Sequence, residues 1–197
     1  MTRRAIFLDR DGTINDLVPD PNTGNPESPL RPQDVRLIPG AATAIRLVAD
    51  AGWLMVGVSN QPAAAKGSVS PATLHDVQAR VLELLAAEGA RLDDFRLCLH
   101  HPQGKVRQLT LECSCRKPGP GMLLEAAGEH GIDLAESWMV GDTDADVLAG
   151  QAAGCRTVLI EHPGSEHKRR AATPPDLTVR TLLEAAAEIL RPGESLP

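Results

Sequence analysis

The sequence predicts an α/β fold built on a doubly wound, Rossmann-like parallel sheet with helices on both faces. Short apolar runs, typical of strands that are buried on both faces, recur along the chain. Segments with helical periodicity lie between these runs, and this alternation indicates a parallel sheet. Several of the apolar runs stop abruptly at small polar or acidic residues, which predicts a ligand site at one edge of the sheet.

Local sequence signals mark where some of the elements begin and end. Ser70-Pro71 is typical of a helix start, and Gly52 ends the preceding helix. Two polar segments, 16–34 and 162–175, are predicted to be loops, and the second is predicted to be a surface loop. The first begins beside an acidic pair, so we interpret it as a substrate-side loop, although a passive insertion would have a similar composition. Strands are predicted at 5–8, 54–58, 95–99, 138–140 and 157–160, and helices at 41–51, 71–88, 120–130, 143–153 and 181–190.

Composition excludes several classes of function. The chain of 197 residues has a net charge of −6, two Phe, two Trp and no Tyr. It therefore lacks the basic surface and the stacking rings of nucleic-acid binding proteins, and we expect no nucleic-acid partner. No apolar run approaches the roughly 18 residues that span a bilayer, so we expect no membrane partner.

The length suits one domain over residues 1–191, followed by a frayed tail over residues 192–197. The first strand begins by about residue 4 and leaves no room for a signal peptide, so we expect a cytoplasmic protein. Thiols stay reduced in that compartment, and the four cysteines need a reason other than disulfides. No exposed apolar stripe is evident, and we expect a monomer.

Asp9 and Asp11 follow the first predicted strand, and Gly12 permits a tight turn after them. Positions i and i+2 of an extended chain point to the same side, so both carboxylates can face one small volume. Such a pair holds a cation or keeps one member protonated, because like charges repel. A plain acidic turn at the end of a strand would have the same local sequence.

Residues that follow other strands favour the cation site. Ser59, Asn60 and Asp142 come directly after predicted strands, and the fold brings them to the edge that carries Asp9 and Asp11. Three carboxylates without His or Cys suit Mg²⁺. One Asp could then attack phosphorus while the other transfers the proton. Ser59 and Asn60 could donate hydrogen bonds to the phosphoryl oxygens, and a nearby lysine, Lys117, could neutralise their charge.

Four residues form a second candidate metal site. A C-x-H pair and a C-x-C pair, separated by a polar loop, together offer three thiolates and an imidazole, the donor set of a closed structural Zn²⁺ site. The alternative is a group of reduced cysteines beside a surface histidine. The four candidate ligands are Cys98, His100, Cys113 and Cys115.

Four motifs follow one another along roughly residues 4–160: D-R-D-G-T-I-N at 9–15, S-N-Q at 59–61, C-R-K-P at 115–118 and G-D-x-x-x-D at 141–146. They resemble the four ordered motifs of the haloacid dehalogenase (HAD) superfamily. Within it, the chain is most similar to heptose-bisphosphate phosphatases and histidinol-phosphate phosphatases, which carry a C-x-H…C-x-C zinc loop at the position of the two cysteine pairs.

The resemblance implies a role for each motif residue. Asp9 would be the nucleophile and a Mg²⁺ ligand, and Asp11 the general acid and base that binds the metal through its backbone carbonyl. Asp142 would complete the protein ligands of Mg²⁺. Ser59 and Lys117 would hold the phosphoryl group. Asp146 would orient the metal shell, and the residues expected to contact substrate are Arg10, Asn15, Asn60, Gln61, Lys66 and Arg116.

The chain departs from the family pattern at the substrate end. Lys66 stands where these phosphatases usually carry an arginine, and Thr143 stands where a lysine is common. The 16–34 loop is longer and richer in proline than usual, and no insertion is large enough for a cap domain.

These features predict a Mg²⁺-dependent phosphomonoesterase with structural Zn²⁺, which removes the 7-phosphate of a heptose 1,7-bisphosphate. A histidinol-phosphate phosphatase, or a phosphatase for another small sugar phosphate, is the alternative enzyme. A non-catalytic phosphate-binding module is the alternative from another class.

Overall fold

The computed structural model describes residues 2–20, 23–170 and 174–191. The described residues contain a six-stranded sheet and a separate two-stranded hairpin. The strands are β1 (Ala5–Leu8), β2 (Val18–Pro19), β3 (Pro26–Glu27), β4 (Leu54–Asn60), β5 (Asp94–Cys98), β6 (Trp138–Gly141), β7 (Arg156–Ile160) and β8 (Leu177–Val179). The large sheet has the order β5-β4-β1-β6-β7-β8 with parallel pairing throughout, and β2 pairs with β3 in antiparallel fashion.

The described residues contain five α-helices, of which four connect strands of the large sheet and the last follows β8. None of the helices in the described ranges is long and apolar enough to cross a membrane. Short 3₁₀ turns lie at Pro32–Asp34, Arg107–Leu109 and Pro163–Lys168. The α-helices are α1 (Ala41–Asp50), α2 (Pro71–Ala87), α3 (Gly121–His130), α4 (Asp144–Ala153) and α5 (Leu182–Ile189).

The central strand β1 is buried on both faces, as its uninterrupted apolar sequence predicts. Ile6 and Leu8 enter the core that α1, α2 and α5 cover, whereas Ala5 and Phe7 enter the core beneath α3 and α4. This alternation follows from the two-residue period of a strand. The α/β, doubly wound fold predicted from the sequence is therefore confirmed.

The predicted elements are all present, and their ends lie close to the observed ones. The largest difference is at β4, which continues to Asn60 instead of ending at Val58. The Ser70 hydroxyl accepts a hydrogen bond from the Thr73 amide at 3.1 Å and caps α2. The frayed tail predicted from residue 192 lies outside the described residues.

The two predicted loops contain structure that the sequence pattern did not indicate. The 16–34 segment holds the β2–β3 hairpin, and the 162–175 segment holds the turn Pro163–Lys168. Ser165, within that turn, is fully buried, so the prediction of a plain surface loop was wrong there. The three-residue strand β8 was also missed, because a run this short carries no usable period.

Charged side chains cover the β5 edge of the sheet. Arg96 lies 2.8 Å from Asp94 and 2.5 Å from Glu129, and His130 lies 3.0 Å from Asp94. Asp94, Glu129 and His130 are close enough together to hold a metal ion. The Arg96 guanidinium already pairs with both carboxylates, so this group is an ion-pair network.

Two helical glycines give a matched test of how closely α4 packs on the sheet. A Cβ atom on Gly150 would lie 2.6 Å from Met139 Cβ and 2.7 Å from Thr157 Cγ2, whereas one on Gly128 in α3 would meet nothing within 4 Å. We expect Gly150→Ala to lower the free energy of unfolding by about 1–3 kcal/mol through overpacking. Gly128→Ala should raise it by up to about 1 kcal/mol.

Urea denaturation of the two variants and the wild-type protein measures both changes. Helix propensity contributes similarly at the two sites. The difference between the two changes in the free energy of unfolding therefore reports the packing of α4 against the sheet. Equal stability changes for Gly150→Ala and Gly128→Ala would contradict the close contact.

Candidate active site

The candidate site lies at the carboxyl edge of the sheet, at the end of the central strand β1. In the sheet, β4 lies on one side of β1 and β6 lies on the other. Asp9 follows β1 directly, and its amide donates to the Val140 carbonyl at 2.9 Å, which continues the ladder between β1 and β6. Asp142 follows β6, and Ser59 lies near the end of β4. The parallel topology therefore brings together residues that are far apart in the sequence.

Lys117 joins two of the carboxylates. Its buried ammonium group lies 2.7 Å from Asp9 Oδ1 and 2.6 Å from Asp146 Oδ1, and it also donates to the Val58 carbonyl at 2.7 Å. Asp9 and the Val58 carbonyl accept hydrogen bonds from the ammonium group, and Asp146 forms an ion pair with it. Burial alone would lower the pKa of Lys117, but the charges of Asp146 and Asp9 outweigh this effect and raise it, so Lys117 is charged.

Asn60 fixes the backbone from which Lys117 projects. Its amide nitrogen donates to the Lys117 carbonyl at 2.8 Å, and its oxygen accepts from the Lys117 amide at 3.0 Å. The Asn60 amide is also predicted to donate to the phosphoryl oxygens. Asn60 lines the cavity, and the Lys117 carbonyl uses only one of its two amide protons, so this second role stays a prediction.

Asp9, Asp142 and Asp146 form a buried carboxylate cluster whose ligand oxygens lie within 4.8 Å of one another. Asp142 Oδ1 is buried and accepts no hydrogen bond within the described residues. A buried carboxylate oxygen without a donor, facing two further carboxylates, fits a hard cation such as Mg²⁺. Asp146 is used differently, because its Oδ2 accepts from the amide and the hydroxyl of Thr143 while its Oδ1 faces Lys117.

The electrostatics of the carboxylate cluster also favour a cation. Burial raises the pKa of Asp9 to about 6; the Lys117 ammonium lowers it, and the charges of Asp146 and Asp11 add to the effect of burial. Burial likewise raises the pKa of Asp142, and the neighbouring Asp9 and Asp146 charges add to this shift. A divalent cation would offset the repulsion and favour the ionised forms of both groups.

Asp11 lies in a shell of hydrogen-bond donors. Arg10 donates to its two oxygens at 3.1 and 3.0 Å, Asn15 to Oδ1 at 2.9 Å, and Gln61 to Oδ2 at 2.6 Å. Burial raises the pKa of Asp11, but the Arg10 charge and these donors outweigh it, so the pKa lies below its ordinary value. Asp11 is therefore charged in this arrangement.

This shell corrects three of the predicted substrate contacts. Arg10, Asn15 and Gln61 are completely buried, and none of them lines the cavity at the site. The Arg10 guanidinium turns back onto Asp11, which lies 3.0 Å away. The three side chains hold Asp11 in position instead of contacting the substrate.

A cavity of about 350 Å³ opens beside the carboxylates. Ser59 lines it, and its hydroxyl oxygen accepts from Gln61 at 2.9 Å, which leaves the hydroxyl proton available for a substrate. The β2–β3 hairpin contributes Glu27 to the lining of the cavity. Besides Lys117, three cationic side chains line the cavity: Lys66, Arg116 and Lys168.

The four predicted zinc ligands converge. Sulfur–sulfur distances within the group run from 3.1 Å between Cys113 and Cys115 to 3.6 Å between Cys98 and Cys113. His100 Nδ1 lies 3.4 Å from Cys115 Sγ. A tetrahedral Zn²⁺ with Zn–S bonds of about 2.3 Å separates its sulfurs by about 3.8 Å, so the four atoms need only small movements to bind one ion.

The zinc-loop candidate connects directly to the cavity. Arg116 follows Cys115 and donates to the His100 carbonyl at 3.3 Å, so a candidate zinc ligand helps to hold this cation at the cavity wall. The fourth cysteine, Cys155, was expected to be an apolar core residue. It is buried in the core beneath α3 and α4 and is not part of the group of converging ligand atoms.

Sequence reasoning missed two residues at the site. The buried Ser165 donates a hydrogen bond to Asp142 Oδ2, and Lys168 lines the cavity 3.9 Å from Glu27. Both belong to the 3₁₀ turn that follows β7. Their only signal was position, since this segment follows a parallel strand at its carboxyl end, where ligand sites are expected.

Comparison with known proteins identifies the family. A family model described as HAD-hydrolase-like matches residues 114–185. The D-glycero-β-D-manno-heptose-1,7-bisphosphate 7-phosphatase of Rhodopseudomonas palustris is 39% identical over 152 residues, which cover 77% of this chain and 80% of that protein. The Escherichia coli (strain K12) protein of the same name is 35% identical over 180 residues, covering 91% and 90%.

Solved structures agree with the sequence relatives. The D,D-heptose 1,7-bisphosphate phosphatase from B. bronchiseptica, complexed with magnesium and phosphate, matches with a TM-score of 0.78 and 28% identity. The match covers 95% of this chain and 98% of that one. Together with the carboxylate cluster and the cysteine–histidine group, these matches show that the chain belongs to the heptose-1,7-bisphosphate 7-phosphatase family of HAD-like hydrolases.

Proposed function

We propose that the protein is a Mg²⁺-dependent phosphomonoesterase that removes the 7-phosphate of D-glycero-D-manno-heptose 1,7-bisphosphate through an aspartyl-phosphate intermediate. The observation that carries the proposal is the position of Asp9, which lines the cavity beside Lys117, Asp142 and Asp11. The names of the family members at 35% and 39% identity support the substrate.

The reaction begins when the Asp9 carboxylate attacks phosphorus and the bond to the sugar oxygen breaks. Lys117 and the Ser59 hydroxyl offset the charge on the non-bridging oxygens. Asp11 protonates the departing oxygen; the negative phosphate raises the pKa of Asp11 as it approaches, against the effect of Arg10. Asp11 then takes a proton from the water that hydrolyses the aspartyl phosphate. Mg²⁺, held by Asp9, Asp142 and the Asp11 carbonyl, would offset charge on the transferring group.

The cations of the cavity favour a substrate with a second anionic group. Lys66 and Arg116 line the wall and form no ion pair with a carboxylate of the described residues, and Lys168 offsets the charge of Glu27. A second phosphate suits these side chains better than the cationic amine of histidinol phosphate does. The predicted monomer, the single domain over residues 1–191 and the cytoplasmic location remain predictions.

Turnover of a substrate panel tests this choice. With Mg²⁺ supplied, we expect the highest kcat/KM for one anomer of heptose 1,7-bisphosphate, measured as released phosphate. Histidinol phosphate and common sugar monophosphates should be slower by at least about tenfold, since each lacks a charge-assisted contact worth roughly 1.5–3 kcal/mol. Preferential turnover of histidinol phosphate would refute the heptose assignment.

The substitution Asp9→Asn tests the chemistry against simple phosphate binding. The amide is not nucleophilic, so phosphate release should fall by at least about a thousandfold while the fold persists. Asp93→Asn is the control, because Asp93 accepts the Met55 amide at 2.8 Å at the opposite edge of the sheet. It should keep wild-type turnover. Substantial turnover by Asp9→Asn would exclude the aspartyl-phosphate route.

Zinc content tests the structural metal site. Elemental analysis of freshly purified protein should find about one Zn²⁺ per chain, since the cluster offers a complete donor set. Cys115→Ser should lose the metal and raise KM, because the loop that carries Arg116 loosens. Cys155→Ser, which leaves the cluster intact, should retain it. Purified wild-type protein without zinc would remove this site from the proposal.

A further inference from the structure

The segment that follows β7 contacts the candidate metal site from outside the four motifs. It contains the 3₁₀ turn Pro163–Lys168, in which Ser165 is fully buried. The Ser165 hydroxyl donates to Asp142 Oδ2. We propose that Ser165 is a positioning residue, which holds the Asp142 carboxylate so that Oδ1 faces the cation. This inference rests on the proposed function only for the identity of that cation.

The two oxygens of Asp142 have different surroundings. Oδ2 accepts the Ser165 hydrogen bond, whereas Oδ1 is buried and has no hydrogen-bond donor within the described residues. A hydroxyl on one oxygen restricts rotation of the carboxylate and leaves the lone pairs of the other free. Ligand carboxylates in metal sites are commonly oriented by such hydrogen bonds.

Several contacts keep Ser165 in place. Its amide donates to the His162 carbonyl at 3.1 Å, and Arg169 donates to that same carbonyl at 2.8 Å. Arg169 also reaches the Asp142 carbonyl at 3.3 Å, so the segment is attached to the backbone of Asp142 as well as to its carboxylate. The hydroxyl is therefore presented by a fixed turn.

The glycine of the first motif makes room for this pair. A Cβ atom on Gly12 would overlap the Asp142 carboxylate and lie 3.2 Å from Ser165 Oγ. The first motif, the fourth motif and the segment after β7 thus meet at one carboxylate. The hydroxyl of Ser165 donates to an oxygen of this carboxylate, which is a contact that a purely space-filling side chain would not make.

Ser165→Ala, titrated with MgCl₂ alone, tests the proposal. Isothermal titration calorimetry should show a dissociation constant for Mg²⁺ about 10–100-fold above that of the wild-type protein, the range typical for loss of a group that orients a metal ligand. With heptose bisphosphate as substrate, the Mg²⁺ concentration for half-maximal turnover should rise equally, and kcat should recover when Mg²⁺ saturates.

Ser137→Ala is the matched control. Ser137 is also fully buried, and its hydroxyl donates to the Asp133 carbonyl at 2.5 Å and accepts the Ala5 amide at 2.9 Å, at the opposite edge of the sheet. Both variants lose a buried hydroxyl and should lose comparable stability in urea denaturation. Only Ser165→Ala should lose Mg²⁺ affinity.

Each result has a defined meaning. If Ser165→Ala binds Mg²⁺ as tightly as Ser137→Ala and the wild-type protein do, the positioning role is refuted and the hydroxyl only satisfies a buried carboxylate. Suppose instead that the wild-type protein releases no phosphate from heptose bisphosphate but binds Mg²⁺ more tightly than Ser165→Ala does. The proposed substrate is then refuted, while the role of Ser165 is supported. If the wild-type protein binds no Mg²⁺, both proposals are refuted.

Discussion

The buried ammonium group of Lys117 is the interaction on which the site depends. Burying several carboxylates close together is costly unless a cation is placed among them. Lys117 contacts Asp9 and Asp146 at once and is anchored by the Val58 carbonyl. Removal of this single charge would leave buried carboxylates without a compensating cation. The stability of the fold and the chemistry of the site therefore both require the Lys117 ammonium group.

Charge compensation also separates the tasks of the two aspartates in the first motif. Asp9 faces a lysine and two carboxylates, and burial raises its pKa to about 6. Asp11, two residues later, accepts hydrogen bonds from an arginine and two amides, and its pKa is lowered. The same side chain therefore has opposite shifts at the two positions, because the neighbours differ.

The part of the site that the sequence predicts follows from strand order. Asp9, Ser59 and Asp142 come directly after apolar runs, and a parallel sheet brings such positions to one edge. The short C-x-H and C-x-C spacings likewise keep each pair of zinc-site residues together wherever the loop lies. These predictions need only local patterns and one topological rule.

The residues that were missed or misplaced depend on packing without a local pattern. Arg10 was predicted to contact the substrate, but its long side chain turns back onto Asp11. Ser165 and the β2–β3 hairpin lie in polar segments whose composition is that of any loop. Their positions follow from contacts between distant parts of the chain, such as Ser165 with Asp142 and Glu27 of the hairpin with Lys168.

The charged edge at β5 has a consequence for solubility. An outer strand exposes unpaired backbone groups that can pair with a strand of another molecule, and proteins limit this with charged side chains and short edge strands. Arg96 and Asp94 lie on one outer strand, and the other, β8, has only three residues. Both borders of the sheet therefore resist the strand addition that leads to aggregates, even at the high concentrations of a crowded cell.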